Sequence, residues 1–270
     1  MAKPKSPPTG AQKAAARLFE AHARRERFAP LPEGLAPRTA EEAYSIQDAF
    51  LALRSDKLGP IAGYKIALSS AEMQRFVGVD SPQAGAILRS QVRRSPARVR
   101  AGDYLRLIVE FEIAAEIGDD LPAADAPFTR DRILRAVGSV MPAIEIADDR
   151  DADYTQLSRH PYELIADNAW NEGAVLGEGV RDWRGLDLGQ VLGVATINGK
   201  KVGEGRGSAA MGHPLDALAW IANHLASQNR GLLRGEIVIT GSVITSKTVK
   251  TGDRVEFAVG GLGKVDLSIE

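Results

Sequence analysis

The chain has no cysteine among its 270 residues. That excludes disulfides, thiolate nucleophiles and cysteine-ligated zinc or iron–sulfur sites, and it suits a reducing compartment such as the cytoplasm. An excess of one charge is missing too. Thirty-four Lys and Arg against 35 Asp and Glu leave a formal net charge of −1, so no global field draws the chain to nucleic acid or an anionic membrane. The basic clusters Arg24-Arg25-Glu26-Arg27 and Arg93-Arg94…Arg98…Arg100 read as solvated faces. No run of ~18 apolar residues occurs, and MAKPKSPPTG lacks the roughly 7–15 apolar residues of a secretory signal. No G-x-G-x-x-G lies between a strand and a helix, and no internal repeat is visible, so dinucleotide binding is unsupported. What remains is an ordinary globular composition, 44% hydrophobic and 26% charged, long enough for one large core or two modest ones.

The pattern along the chain divides it into a disordered Pro/Lys lead-in over 1–10, a helical section over 11–58 and a β-rich remainder over 59–270. Ala14, Ala15, Leu18, Phe19, Ala21 and His22 recur at helical spacing. Thr39-Ala40-Glu41-Glu42 reads as a capping box, and Ala43, Ile46, Gln47, Phe50 and Leu51 form one face behind it. Strands are expected at 63–68, 84–88, 104–116, 141–147, 173–176 and 191–197. Asn198-Gly199 marks a type I′ hairpin into a further strand over 200–204. Helices are expected at 129–137 and 214–228, and the tail offers strands at 236–240, 254–259 and 264–269. Many short strands with few helices predict an α+β fold with a mixed, mostly antiparallel β core.

The most informative feature is Val109-Glu110-Phe111-Glu112-Ile113-Ala114. Residues two apart on a strand share a face, so Glu110 and Glu112 point one way and Phe111 and Ile113 the other. Two ionised carboxylates at ~5 Å repel by roughly 3 kcal/mol at an effective dielectric of about 20, which calls for a cation, a shared proton or open water. Glu145 stands equally alone within Pro142-Ala143-Ile144-Glu145-Ile146-Ala147. Spacing by itself fits solvent-facing residues on amphipathic strands more readily, because E-x-E is common there. All-oxygen ligation would favour Mg2+ or Mn2+ over zinc. Of the histidines only His213 lies among other notable residues, where a structural or substrate-orienting role suits it better than metal ligation.

These residues form part of an ordered set. It runs through Ala43-Tyr44-Ser45-Ile46-Gln47, Gly63-Tyr64-Lys65-Ile66-Ala67-Leu68-Ser69-Ser70, Gly78-Val79-Asp80-Ser81-Pro82 and the two glutamate segments. It continues through Ala166-Asp167-Asn168-Ala169, Gly205-Arg206-Gly207-Ser208…Gly212-His213-Pro214, Thr240-Gly241-Ser242 and Thr251-Gly252-Asp253. Over about residues 40–270 the chain thereby resembles the fumarylacetoacetate hydrolase superfamily, and within it the 2-keto-4-pentenoate hydratase and 4-oxalocrotonate decarboxylase branch. The resemblance implies a β core of that family's C-terminal-domain type, with Glu110, Glu112 and Glu145 at the positions that hold a divalent metal, Mg2+ or Mn2+. It places Lys65 and Asp80 as catalytic candidates, Asp80 on a loop that can close. Lys65, Asp167 and Thr240 are substrate-binding candidates, with Ser208 and His213 structural.

The implied substrate is a small 2-oxo acid. The implied reaction is hydration of a 2-hydroxy-2,4-dienoate to a 4-hydroxy-2-oxo acid in aromatic catabolism, by a cytoplasmic homo-oligomer. A 4-oxalocrotonate-type decarboxylase and an inactive binding relative are the alternatives. Three departures bear on the distal end of the substrate: Ala67-Leu68-Ser69, where the family often has Gly-Leu-Thr; the stretch after Gly241; and the 151–163 loop with Tyr154, Arg159, His160 and Tyr162.

Overall fold

A computed structural model describes residues 9–270. Most of the expected lead-in lies outside them, and helix α1 (Gly10–Ala23) already starts at Gly10, capped by Thr9, whose hydroxyl accepts from Gln12 N–H. Helix α2 (Ala40–Leu58) is capped by Thr39, which accepts from Glu42 N–H. The expected capping box is only half formed there, because the Glu42 carboxylate turns to Arg38 N–H and its guanidinium instead. Ala14, Ala15 and Leu18 of α1 pack with Ala43, Ile46 and Phe50 of α2 in a small core that also takes in Leu31, Ile165 and Ala166.

The rest is built on two sheets. The larger combines β1 (Ile61–Ala67), β2 (Gln83–Leu88), β3 (Val92–Arg94), β5 (Leu107–Ile117), β6 (Val137–Asp148), β7 (Asn171–Leu176) and β10 (Ile237–Thr248) in the order β2-β1-β10-β5-β6-β7-β3. The smaller combines β4 (Ala97–Val99), β8 (Leu192–Ile197), β9 (Lys200–Arg206), β11 (Arg254–Val259) and β12 (Gly263–Ile269) in the order β4-β12-β11-β8-β9. The β1–β10, β3–β7 and β4–β12 pairs are parallel and the other pairs antiparallel. The fold is thus the mixed, mostly antiparallel α+β arrangement expected from the pattern. The Asn198-Gly199 turn has φ of 53° and 75°, as a type I′ hairpin requires.

Strand alternation decides what each face of the large sheet carries. Val109, Phe111 and Ile113 of β5, with Ile144 and Ile146 of β6, enter the main core against the smaller sheet. Phe111 meets Phe257 there at a centroid distance of 5.5 Å, a tilted aromatic pair worth about 0.5–1.5 kcal/mol beyond its buried area. The opposite face carries Ala114, Met141, Ala143 and Ile239, and beside them the glutamates. Helix α6 (Pro214–Ser227) lays Leu215, Leu218, Ile221 and Leu225 into the main core, while α4 (Arg130–Ala136) adds Ile133.

Several boundaries differ from the sequence pattern for identifiable reasons. Strand β5 begins at Leu107, not residue 104, because Asp148 accepts from the N–H groups of Leu105 and Arg106 and caps the chain before the ladder starts. Strand β10 runs on to Thr248, because Gly241 at φ 106° supports a bend through which the strand continues with shifted register. Helix α3 (Ala71–Val77) was not visible in the pattern; it is a single short element between the Ser70 cap and Gly78. The 151–163 loop folds into a 3-10 turn over Tyr154–Arg159 that leads to α5 (Glu163–Ala166).

Candidate metal centre

The register of β5 on β6 sets Glu110 directly opposite Glu145 and Glu112 opposite Ala143. One carboxylate oxygen from each of Glu110, Glu112 and Glu145 lies within 4.8 Å of the others. Glu112 and Glu145 are fully buried and Glu110 is half-buried at the rim. The surface-strand alternative left open by spacing therefore does not hold for this pair.

Each buried carboxylate is held by one oxygen and left bare at the other. Glu112 Oε2 accepts from Gly241 N–H at 2.7 Å, while its Oε1 has no partner. Glu145 Oε1 accepts from Asn171 Nδ2 at 2.8 Å and lies 3.2 Å from Lys65 Nζ, while its Oε2 has no partner. Buried acceptors without donors are rare and costly, so a cation is the species that fits them. The donor set is hard oxygen throughout, which suits Mg2+ or Mn2+.

The electrostatics agree. Burial, then the charge of Glu145, pushes the Glu110 carboxyl up to about 7. Burial, then Glu145 and Glu110, holds Glu112 well above the usual carboxylate range. Burial alone would lower the Lys65 ammonium, yet the charges of Glu145, Glu110 and Glu112 outweigh it and raise it. Lys65, the buried cation beside Glu145, offsets part of the repulsion among three acids.

Other candidate residues are placed differently. Asp80 is exposed on the loop between α3 and β2. Asp167 is buried, its Oδ1 2.6 Å from His22 Nε2 and its Oδ2 taken by the Arg150 guanidinium, so both oxygens are engaged away from the triad. Thr240 is buried and donates to the Ile113 carbonyl at 2.9 Å, bracing β10 against β5 beside Gly241. His213 caps α6 by accepting from Leu215 N–H.

Asn171, Arg106 and Arg150 were not singled out in the sequence, and Gly241 stood there only as part of the Thr240-Gly241-Ser242 segment. Arg106 binds Asp149 bidentately and reaches Asp151 at 2.9 Å, pinning the loop whose Tyr154 donates to Asp149 at 2.9 Å. Arg106 lies just before β5; no pattern in its own stretch signals this partner set, which lies some 45 residues away. Asn171 had a signal, a lone amide entering a strand just past Asp167-Asn168.

Comparison with known proteins bears on what this centre belongs to. The chain is 31% identical over 263 residues to a 2-keto-4-pentenoate hydratase of Paraburkholderia xenovorans, covering 97% of this chain and 96% of the relative. It is 32% identical over 249 residues to a 2-hydroxyhexa-2,4-dienoate hydratase of Comamonas testosteroni, covering 92% of each. The fold matches that of 4-oxalocrotonate decarboxylase from Pseudomonas putida G7, solved with magnesium and adipate, at a TM-score of 0.88 and 23% identity over 98% of this chain and 100% of the other. Residues 69–270 match the fumarylacetoacetate (FAA) hydrolase C-terminal family, and the chain belongs to that family.

Proposed function

We propose that the protein is a divalent-metal-dependent hydro-lyase that adds water to a 2-hydroxy-2,4-dienoate and yields a 4-hydroxy-2-oxo acid. The observation that carries the reading is the buried triad with its bare oxygens beside Lys65, in a chain that matches named hydratases along nearly its whole length. Glu110, Glu112 and Glu145 would hold Mg2+ or Mn2+. When bound, such a cation supplies a Lewis acid that stabilises negative charge on the 2-oxygen of the substrate.

Lys65 is buried and its ammonium is favoured by the surrounding acids, so it stays charged at neutral pH. As a cation it holds and orients the substrate carboxylate at the triad. Loss of the 2-hydroxyl proton and addition of one proton at C5 convert the dienol to the conjugated ketone. Water then adds, hydroxyl at C4 and hydrogen at C3. Asp80 would join from its loop and Thr240 would line the wall beside Gly241, whereas Asp167, with both oxygens taken by His22 and Arg150, would brace that wall rather than touch substrate. Ala67, two residues beyond Lys65 on β1, belongs to a small apolar core with Val77, Leu157, Ala169 and Trp170. Among the described residues no helix is long and apolar enough to cross a membrane. A cytoplasmic homo-oligomer free of nucleic acid completes the reading.

Calorimetric titration of Mg2+ or Mn2+ into wild type and Glu110→Ala tests the centre, with binding expected in the first and lost in the second. Loss of 2-hydroxypenta-2,4-dienoate absorbance is expected from the loaded enzyme. Carbon dioxide release from 4-oxalocrotonate without that loss would overturn the hydratase reading in favour of a decarboxylase.

A further inference from the structure

Residues 163–172 form a wall with two sides. One side meets the carboxylate centre. Asn171 Nδ2 donates to Glu145 Oε1 at 2.8 Å. Asn168 pairs with both the N–H and the carbonyl of Ala86 on β2, at 2.8 and 2.9 Å. Its own carbonyl and the stem of Lys65 close over Gly85, where an added Cβ would lie 3.0 Å from each.

The other side is gripped by the helical section. Leu31 N–H donates to Glu163 Oε1 at 3.0 Å, and Gln47 of α2 donates to the Ile165 carbonyl at 2.8 Å. His22 of α1 sets Nε2 2.6 Å from Asp167 and Nδ1 3.5 Å from Glu172, while Arg54 of α2 pairs with that same Glu172. Asp167 immediately precedes the turn, and Glu172 lies just past Asn171 on its far side.

Between those two anchors Asn168, Ala169 and Trp170 all take left-handed conformations, with φ of 52°, 49° and 58°. Three consecutive non-glycine residues in that region persist only where their surroundings over-determine them, and such strain gathers at functional sites.

We propose that His22, with Arg54 beside it, is a positioning residue for the carboxylate centre: α1 and α2 clamp Asp167 and Glu172, and the clamped turn aims Asn171 at Glu145. The inference rests on reading the triad as a metal site. It gives the helical section a task in the chemistry though none of its residues touches the triad. A donor that orients a ligating carboxylate typically carries 10–100-fold in metal affinity or activity, and the clamp acts through that donor.

The experiment is Mn2+ titration by calorimetry into wild type, His22→Leu and His22→Gln. Hydrogen exchange of the amides at 167–172 is followed in the same proteins with and without Mn2+. His22→Leu is expected to weaken Mn2+ binding about tenfold and to speed exchange across 167–172. His22→Gln, whose amide still donates to Asp167, is expected to recover most of both. A lowered melting temperature in His22→Leu with wild-type Mn2+ affinity and unchanged exchange overturns the proposal and leaves His22 a tie between helix and core. If His22→Leu does not fold, Arg54→Met carries the same expectation through Glu172, and wild-type affinity there overturns it. A wild type that binds no Mn2+ sinks the metal reading of the triad, whereas the exchange comparison still decides the clamp.

Discussion

Glu110 and Glu145 stand directly opposite each other in the β5–β6 ladder, 35 residues apart in sequence and paired by register. Like charges set opposite on neighbouring strands destabilise a sheet. With oxygens no more than 4.8 Å apart, each ionised pair costs roughly 3 kcal/mol at an effective dielectric of about 20. A protein keeps such an arrangement for what it binds.

Removing one of the three charges should therefore stabilise the metal-free protein while abolishing its use. Glu112→Gln preserves the shape and the acceptor for Gly241 N–H. We expect a higher urea midpoint without metal, by about 1–3 kcal/mol of stability, together with at least tenfold weaker Mn2+ binding. Equal or lower metal-free stability would show that the triad is not under electrostatic load.

The same load sets a pH dependence. The Glu110 carboxyl sits at about 7 against an ordinary 4.5, raised by burial and by Glu145, and Glu163 is likewise pushed up to about 7 by burial. A carboxyl raised in the folded state binds more protons folded than unfolded. Its contribution is fully present below the ordinary value and is lost as pH rises through about 7. Metal-free protein should thus lose urea resistance from about pH 5 to about pH 8, and Glu110→Gln should flatten that slope. Apparent Mn2+ affinity should rise over the same window, because protons must leave for the cation to bind. A flat affinity profile would contradict the assignment.

Lys65→Met tests the one buried cation at the centre. Its loss leaves Glu145 with Asn171 as its remaining donor. Breaking a buried ion pair from one side costs about 3–5 kcal/mol, so the metal-free variant should melt lower, and added Mn2+ should restore part of the loss. With Mn2+ bound, KM should rise by more than kcat falls, since Lys65 is assigned to the substrate carboxylate. A pure kcat effect would move Lys65 from binding to proton transfer.

Gly241→Ala tests the brace behind Glu112. Gly241 has φ 106°, and an added Cβ would sit 2.5 Å from Ser69 Oγ. The methyl must displace the backbone whose N–H holds Glu112 Oε2. We expect a stability loss of about 1–3 kcal/mol and weaker Mn2+ binding. Pairing this change with Ser69→Gly should recover part of the steric share, and no recovery would place the cost in the dihedral alone.

Much of the β-rich part was legible because its signals are local. The alternation of Val109-Glu110-Phe111-Glu112-Ile113 sorted the faces of β5 before any partner strand was known, and Asn198-Gly199 announced its hairpin. Strand β10 was cut short at Thr240 because a glycine in a strand reads as a stop. Helix α3 escaped because seven residues carry almost no periodicity.

The amino-acid sequence by itself determined which side chains share a strand face, which residue caps α2, and that Glu110, Glu112 and Glu145 are the acids isolated among apolar neighbours. Those follow from a period of two, from hydroxyl geometry at helix starts and from the ordered motifs. Tertiary structure decided the rest. Register across β5 and β6 converted three separate glutamates into one centre with bare oxygens. Chain reversal brought His22 onto Asp167 across 145 residues, and Lys65 onto Glu145. Such pairings depend on which elements meet in space, and no local periodicity encodes that.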